Sequence, residues 1–178
     1  LGEYDVAHIQ NNRWTATAGA VTPYNKANTL YEYLTQSYPN VRDIQQVSSV
    51  MQDVAGMDLG EDYEKIESAR LLSSSEYTLN AALGYISLRS ALNQDEVLAV
   101  AYEYTYAGKV YQVGEFSTDA GESLKAPNAL LLKMLKSSNN APILKNKGTW
   151  DLMMKNVYSI GASQMSSEKF ELYVQYRN

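Results

Sequence analysis

The spacing of apolar and polar positions divides the chain into an early helical part and a later extended part. Asn28 is placed as the N-cap of a helix over TLYEYLTQSY, which Pro39-Asn40 ends. Asp43 then caps a second helix. In it Ile44, Val47, Val50, Met51 and Val54 fall on one stripe, Gln45, Ser48, Ser49 and Gln52 face away, and Gly56 follows as the C′ residue. From Leu59 the period changes to turn chemistry with short apolar pieces, and Leu79 to Gly84 reads as a tight reversal before a strand over Gly84–Leu88. Glu96 to Tyr106 has period two and predicts the longest strand of the chain. One face carries Leu98, Val100, Tyr102, Tyr104 and Tyr106; the other carries Val97, Ala99, Ala101, Glu103 and Thr105, with alanines where something can pack closely. Ala107-Gly108 makes a turn, Gly supplying the positive φ, and Lys109 to Phe116 returns antiparallel.

Before and after this region the pattern is plainer. Residues 4 to 24 read as an extended lead-in, with Trp14, Ala16, Ala18 and Ala20 alternating with Thr15, Thr17 and Gly19, and Pro23 closing the run. Ala129 to Lys136 fits a helix begun at Pro127 or a buried strand equally well. Thr149 caps a short helix over WDLMMKNVYSI with Gly161 beyond its end, and Phe170, Leu172, Val174 and Tyr176 share one face of a last strand. The expected fold class is therefore α+β: a mostly antiparallel sheet with two N-terminal helices and one late helix packed on it. Residues 1–25 are expected as an extended arm and 26–178 as a single domain. The tyrosine row is expected to pack under the Val47/Met51 helix, and Trp150, Met153, Met154 and Val157 to form a core-facing stripe.

Composition narrows the function. A formal net charge of −5 with scattered Lys and Arg disfavours nucleic acid. The absence of cysteine excludes a disulfide scaffold, thiol catalysis and thiolate-bound zinc. The apolar runs are far too short to span a bilayer as a helix, so no direct membrane insertion by this segment is expected. The first residue is not Met and no signal peptide is visible, which leads us to expect a piece of a longer protein. Fifteen tyrosines stand against two Phe and two Trp, a bias that suits half-wet packing positions.

Candidate chemistry is sparse. His8 is the only histidine, with no HxxxH partner, and no GxSxG is present, so no nucleophilic triad can be assembled. Asp58, Glu61, Asp62 and Glu64 form one acidic group without the ligand spacing of an EF-hand. Glu115, Asp119 and Glu122 form a second around a loop, which reads as solvated surface in preference to a calcium site. Gly84, Gly108 and Gly114 sit among strand residues and make no phosphate loop. No catalytic residue, cofactor or metal is expected. Tyr104, Tyr106 and Tyr111 are the candidate interaction surface, Tyr104 and Tyr106 being nearest the turn and expected to be the most exposed.

Three runs carry a further signal: LGYISL followed by DEVLAVAYEYTYAGKVYQVGEF, then LLLKMLK, then WDLMMKNVYSIGA. With NTLYEYL, VRDIQQV and YEKIESARLLSSSEYTLN upstream, the chain resembles the SprA/Sov family over most of residues 28 to 178. Members of that family are giant outer-membrane proteins of gliding motility and type IX secretion. The resemblance implies a non-catalytic domain of such a protein, located in the cell envelope, on the exterior or the periplasmic side. Its implied partners are the remainder of the parent protein and other secretion components. The segment lacks the repeated strands of roughly ten residues that a membrane barrel needs. The competing expectation is a cell-surface module that binds glycan or protein through exposed tyrosines.

Overall fold

Helical spacing around Asn28 and Asp43 produces two short helices, both irregular. In the computed structural model, which describes residues 17–20, 22–54, 57–60, 62–118, 128–138, 149, 152–154, 166, 168–173 and 175, the Asn28 side-chain oxygen accepts the Leu30 N–H at 3.1 Å. Helix α1 (Leu30–Glu32) follows and widens into a π-helical turn over Tyr33–Ser37. A 3₁₀ turn over Pro39–Arg42 leads to Asp43, whose carboxylate accepts the Gln45 N–H at 2.8 Å. Helix α2 (Val47–Ser49) then opens into a second π-helical segment, Val50–Val54. Each widened stretch contains or adjoins a hydroxyl bonded back to the preceding turn, Thr35 to the Tyr31 carbonyl and Ser49 to the Gln46 carbonyl. Such back-bonding competes with the helical ladder and bends it.

Of the expected α2 stripe Val47, Val50 and Met51 are buried, while Ile44 lies in the turn before the helix and is only partly buried. Leu34, Val41, Val47, Val50 and Met51 are buried together with Tyr63, and Leu30, Tyr33, Tyr38, Met57 and Leu131 pack around them. This is the core. It is not the tyrosine face: the α2 stripe closes on Leu34, Val41 and Tyr63 and does not cover the hairpin, contrary to the expected packing.

The strands form three separate two-stranded antiparallel sheets among the described residues, where one sheet was expected. Strands β1 (Tyr77–Asn80) and β2 (Tyr85–Leu88) pair around the 81–84 reversal, so the predicted turn is correct and the strand before it is an addition. The single long strand expected over Glu96–Tyr106 is two, β3 (Leu98–Val100) and β4 (Tyr102–Tyr106), which separate at Ala101. β4 pairs with β5 (Lys109–Val113) as predicted. β3 pairs with β6 (Lys133–Lys136), so the second half of the ambiguous 129–136 stretch is a strand, with a bulge opposite Leu98/Ala99, and 129–132 is neither helix nor strand.

Gly114 causes the separation. Its φ is +75°, and a Cβ placed on it would lie 3.1 Å from both the Ala101 Cβ and the Val100 carbonyl oxygen. The chain ends β5 there and leaves β3 free to take a different partner. At the other end of the hairpin Ala107 and Gly108 both have positive φ, 50° and 76°, so glycine is not the sole left-handed residue of that turn. The pair fits a type I′ turn, whose first position favours Asn. Ala107→Asn is expected to raise stability by about 0.5–1 kcal/mol, read as a shift in the urea midpoint at unchanged m-value.

Other expectations change. Residues 17–20 form a turn with Gly19 at φ +78°, where the alternation predicts extended chain. Most of the Trp150 helix and its stripe lie outside the described residues; Met153 and Met154, which are described, are not helical and are more than half exposed instead of core-facing. The described residues of 170–176 join no strand, and Phe170 and Leu172 are exposed. Among the described residues no helix is long and apolar enough to cross a membrane.

Candidate functional site

Period two places Tyr102, Tyr104 and Tyr106 on one face of β4, and the register sets Val113, Tyr111 and Lys109 opposite them. Tyr104 and Tyr111 stack with ring centroids 5.4 Å apart, and Tyr102 leans on Tyr104 at 6.0 Å. What covers this row is the lead-in. Tyr24 meets Tyr111 edge-on at 5.3 Å, and the Tyr104 hydroxyl donates to the Pro23 carbonyl at 2.5 Å. Asn25 fixes the strap. Its backbone N–H donates to the Gln112 carbonyl at 2.9 Å, and its side-chain amide exchanges two bonds with the Gly114 backbone, 2.9 and 2.8 Å. Of the three candidate residues, Tyr106 is 54% exposed, while Tyr104 and Tyr111 are half-buried; Tyr104 is therefore less open than its place near the turn suggests.

Glu115, read from sequence as one of a solvated acidic group, is the most committed carboxylate described. Arg42 grips it with two bonds, Nη1 to Oε2 at 2.9 Å and Nη2 to Oε1 at 2.6 Å. The Tyr31 hydroxyl donates to Oε1 at 2.7 Å and the Leu131 N–H to Oε2 at 2.8 Å. The backbones follow the same path: Glu115 N–H donates to the Leu131 carbonyl at 3.0 Å and Ala129 N–H to the Arg42 carbonyl at 2.6 Å. One carboxylate thus ties helix α1, the 3₁₀ turn, the end of the β4–β5 hairpin and the approach to β6. Both side chains are largely out of water, Arg42 at 19% exposure and Glu115 at 7%. Asp119 and Glu122 lie outside the described residues.

Burial alone would push the Glu115 carboxyl up; the Arg42, Leu131 and Tyr31 hydrogen bonds outweigh it and hold the group below the usual carboxylate range. Burial and the Glu115 hydrogen bond push the Tyr31 phenol up to about 12. The signs give opposite limbs. The depressed Glu115 contributes stability that is full above the unfolded carboxyl value and is lost as pH falls through the lower folded value. The raised Tyr31 contributes stability that is full below about 10 and is lost as pH rises through about 12. A pH series of urea melts is expected to show both limbs, and Tyr31→Phe to remove the Tyr31 contribution to the alkaline one.

The other acidic group is also structural where it is described. Glu64 accepts from the Ser138 N–H at 2.9 Å, the Ser138 hydroxyl at 2.6 Å and lies 2.8 Å from the Ser137 hydroxyl, joining its loop to the end of β6. The Asp62 carboxylate accepts the Asp58 N–H at 2.9 Å. No group of three or more His, Asp or Glu is placed to hold a metal ion among the described residues. Glu61 and His8 lie outside them. Sequence reasoning missed Tyr31, Arg42 and Asn25: their partners lie 73 to 89 positions away, and no local spacing announces them. No protein-family model, curated protein or solved structure matches the chain.

Proposed function

We propose that this chain is a non-catalytic structural domain of a giant outer-membrane protein of type IX secretion and gliding motility, the role its likeness to the SprA/Sov family implies. The observation that carries the non-catalytic part is the Glu115 node. Its buried carboxylate is spent on Arg42, Tyr31 and the Leu131 backbone, and it has no acceptor capacity aimed at an open cleft.

Docking to the remainder of the parent protein is supported by the β1–β2 hairpin. Tyr77, Leu79, Ile86 and Leu88 share one of its faces by register, and Leu79 and Leu83 are 61% and 74% exposed. An isolated two-stranded hairpin is marginal in water, so this arm gains from a partner. The late helix capped by Thr149 belongs to the same proposal, as a further packing element. Deleting residues 28–178 from the parent protein and measuring export of its cargo tests the role. Loss of export with the parent still inserted in the outer membrane is expected; normal export contradicts it.

A further inference from the structure

Residues 17–20 and 22–24 border the start of β5, leaving an open hollow of about 250 Å³, walled by Gly19, Ala20, Thr22, Tyr24, Lys109 and Tyr111. Two of its walls are aromatic and stand nearly at right angles, the Tyr24 and Tyr111 planes meeting at 74°. Among the described residues, the strap side is formed by the small Gly19, Ala20 and Thr22. Among the described residues, the Tyr24, Tyr111 and Thr22 hydroxyls and the Lys109 ammonium have no hydrogen-bond or ionic partner in the protein. This contrasts with Tyr104 on the same face, whose hydroxyl is committed to Pro23.

We propose that this hollow binds a single pyranose unit of a polysaccharide, with a preference for a carboxylate-bearing sugar. The size is slightly under the roughly 300–1,000 Å³ of pockets that enclose drug-sized ligands, which suits one ring and not a buried oligomer. A sugar ring offers an apolar C–H face and a rim of hydroxyls. The aromatic corner takes the face, and the three hydroxyls and the ammonium meet the rim. Lys109 adds a charge-assisted bond to a uronate carboxylate. The proposal does not depend on the docking role above, because hollow and β1–β2 hairpin are separate surfaces.

The test is NMR titration of the isotopically labelled chain with pentagalacturonate and, in parallel, with neutral galactopentaose. Saturable shifts of the Gly19, Ala20, Lys109 and Tyr111 amides are expected with both, the uronate binding about tenfold tighter. Lys109→Gln sits on an exposed strand position and leaves the aromatic packing intact. It is expected to remove that tenfold difference, weakening the uronate far more than the neutral sugar. Tyr111→Leu is expected to abolish both. Absence of saturable shifts at these amides up to about 20 mM of either sugar overturns the proposal. A uronate preference that survives Lys109→Gln overturns its charged part, and shifts centred elsewhere overturn the site.

Discussion

Replacing Glu115 with Ala is expected to cost about 3–5 kcal/mol of unfolding free energy, the range for breaking a buried ion pair by removing one partner. The substitution leaves the Arg42 guanidinium, 19% exposed, facing a cavity, and strips the Leu131 N–H and the Tyr31 hydroxyl of their acceptor. Single domains have only about 5–15 kcal/mol in hand, so the loss is a large share of the total. Glu115→Gln keeps an acceptor for Leu131 and loses the charge, and is expected to fall between Ala and the parent. Urea unfolding followed by circular dichroism reads all three. A carboxylate that served only a solvated loop would give a change within about 0.5 kcal/mol, and that result would return Glu115 to the surface.

Gly114→Ala is the second large effect, expected at about 2–4 kcal/mol. Two costs add: a left-handed φ of +75° that L-residues pay roughly 1–2 kcal/mol to adopt, and a Cβ 3.1 Å from the Val100 carbonyl oxygen and the Ala101 Cβ. The Val100 carbonyl is backbone and cannot swing aside. Because Gly114 also exchanges two bonds with the Asn25 side chain, relief of the clash by movement would loosen the strap over the tyrosine row. The expected readout is a lowered urea midpoint together with a changed near-ultraviolet tyrosine signal. A Gly114→Ala variant as stable as the parent would remove the account given of why β3 and β4 part.

The elements legible in the sequence are those whose pattern is local. Period two over Tyr102–Tyr106 and Lys109–Val113, with a positive-φ residue between, gave β4 and β5 their register partners. The 3-4 spacing of Val47, Val50 and Met51 identified a stripe that is buried. The strand pattern places Ala99 and Ala101 where something can pack closely, and Gly114 approaches Ala101. The alternation was silent about the break at the same residue, because Val100 and Tyr102 keep the period across it. β1 was missed because Tyr77–Asn80 is four residues long and follows a run of serines that reads as loop. Hydrophobicity alone points to the amphipathic helix as the cover of the tyrosine face. The actual cover, Pro23 to Asn25, binds by backbone and amide bonds that carry no periodic signature. The Arg42–Glu115 node was hidden for the same reason, since neither charge differs in sequence from a surface one.

The chemistry left for function follows from that packing. With the buried carboxylate tied up and Glu64 held by two serines, the outward features among the described residues include apolar hairpin positions and a tyrosine corner. These are surfaces for contact, in keeping with the structural role proposed above.

The most direct measurement of this account is a double-mutant cycle on Arg42→Met and Glu115→Leu, read by urea unfolding. Each single variant is expected to lose about 3 kcal/mol or more, and the double variant well under the sum, because two apolar side chains replace two charges that would otherwise be orphaned. Losses that simply add within about 0.5 kcal/mol would mean that the two residues do not form the joint between the helices and the sheets.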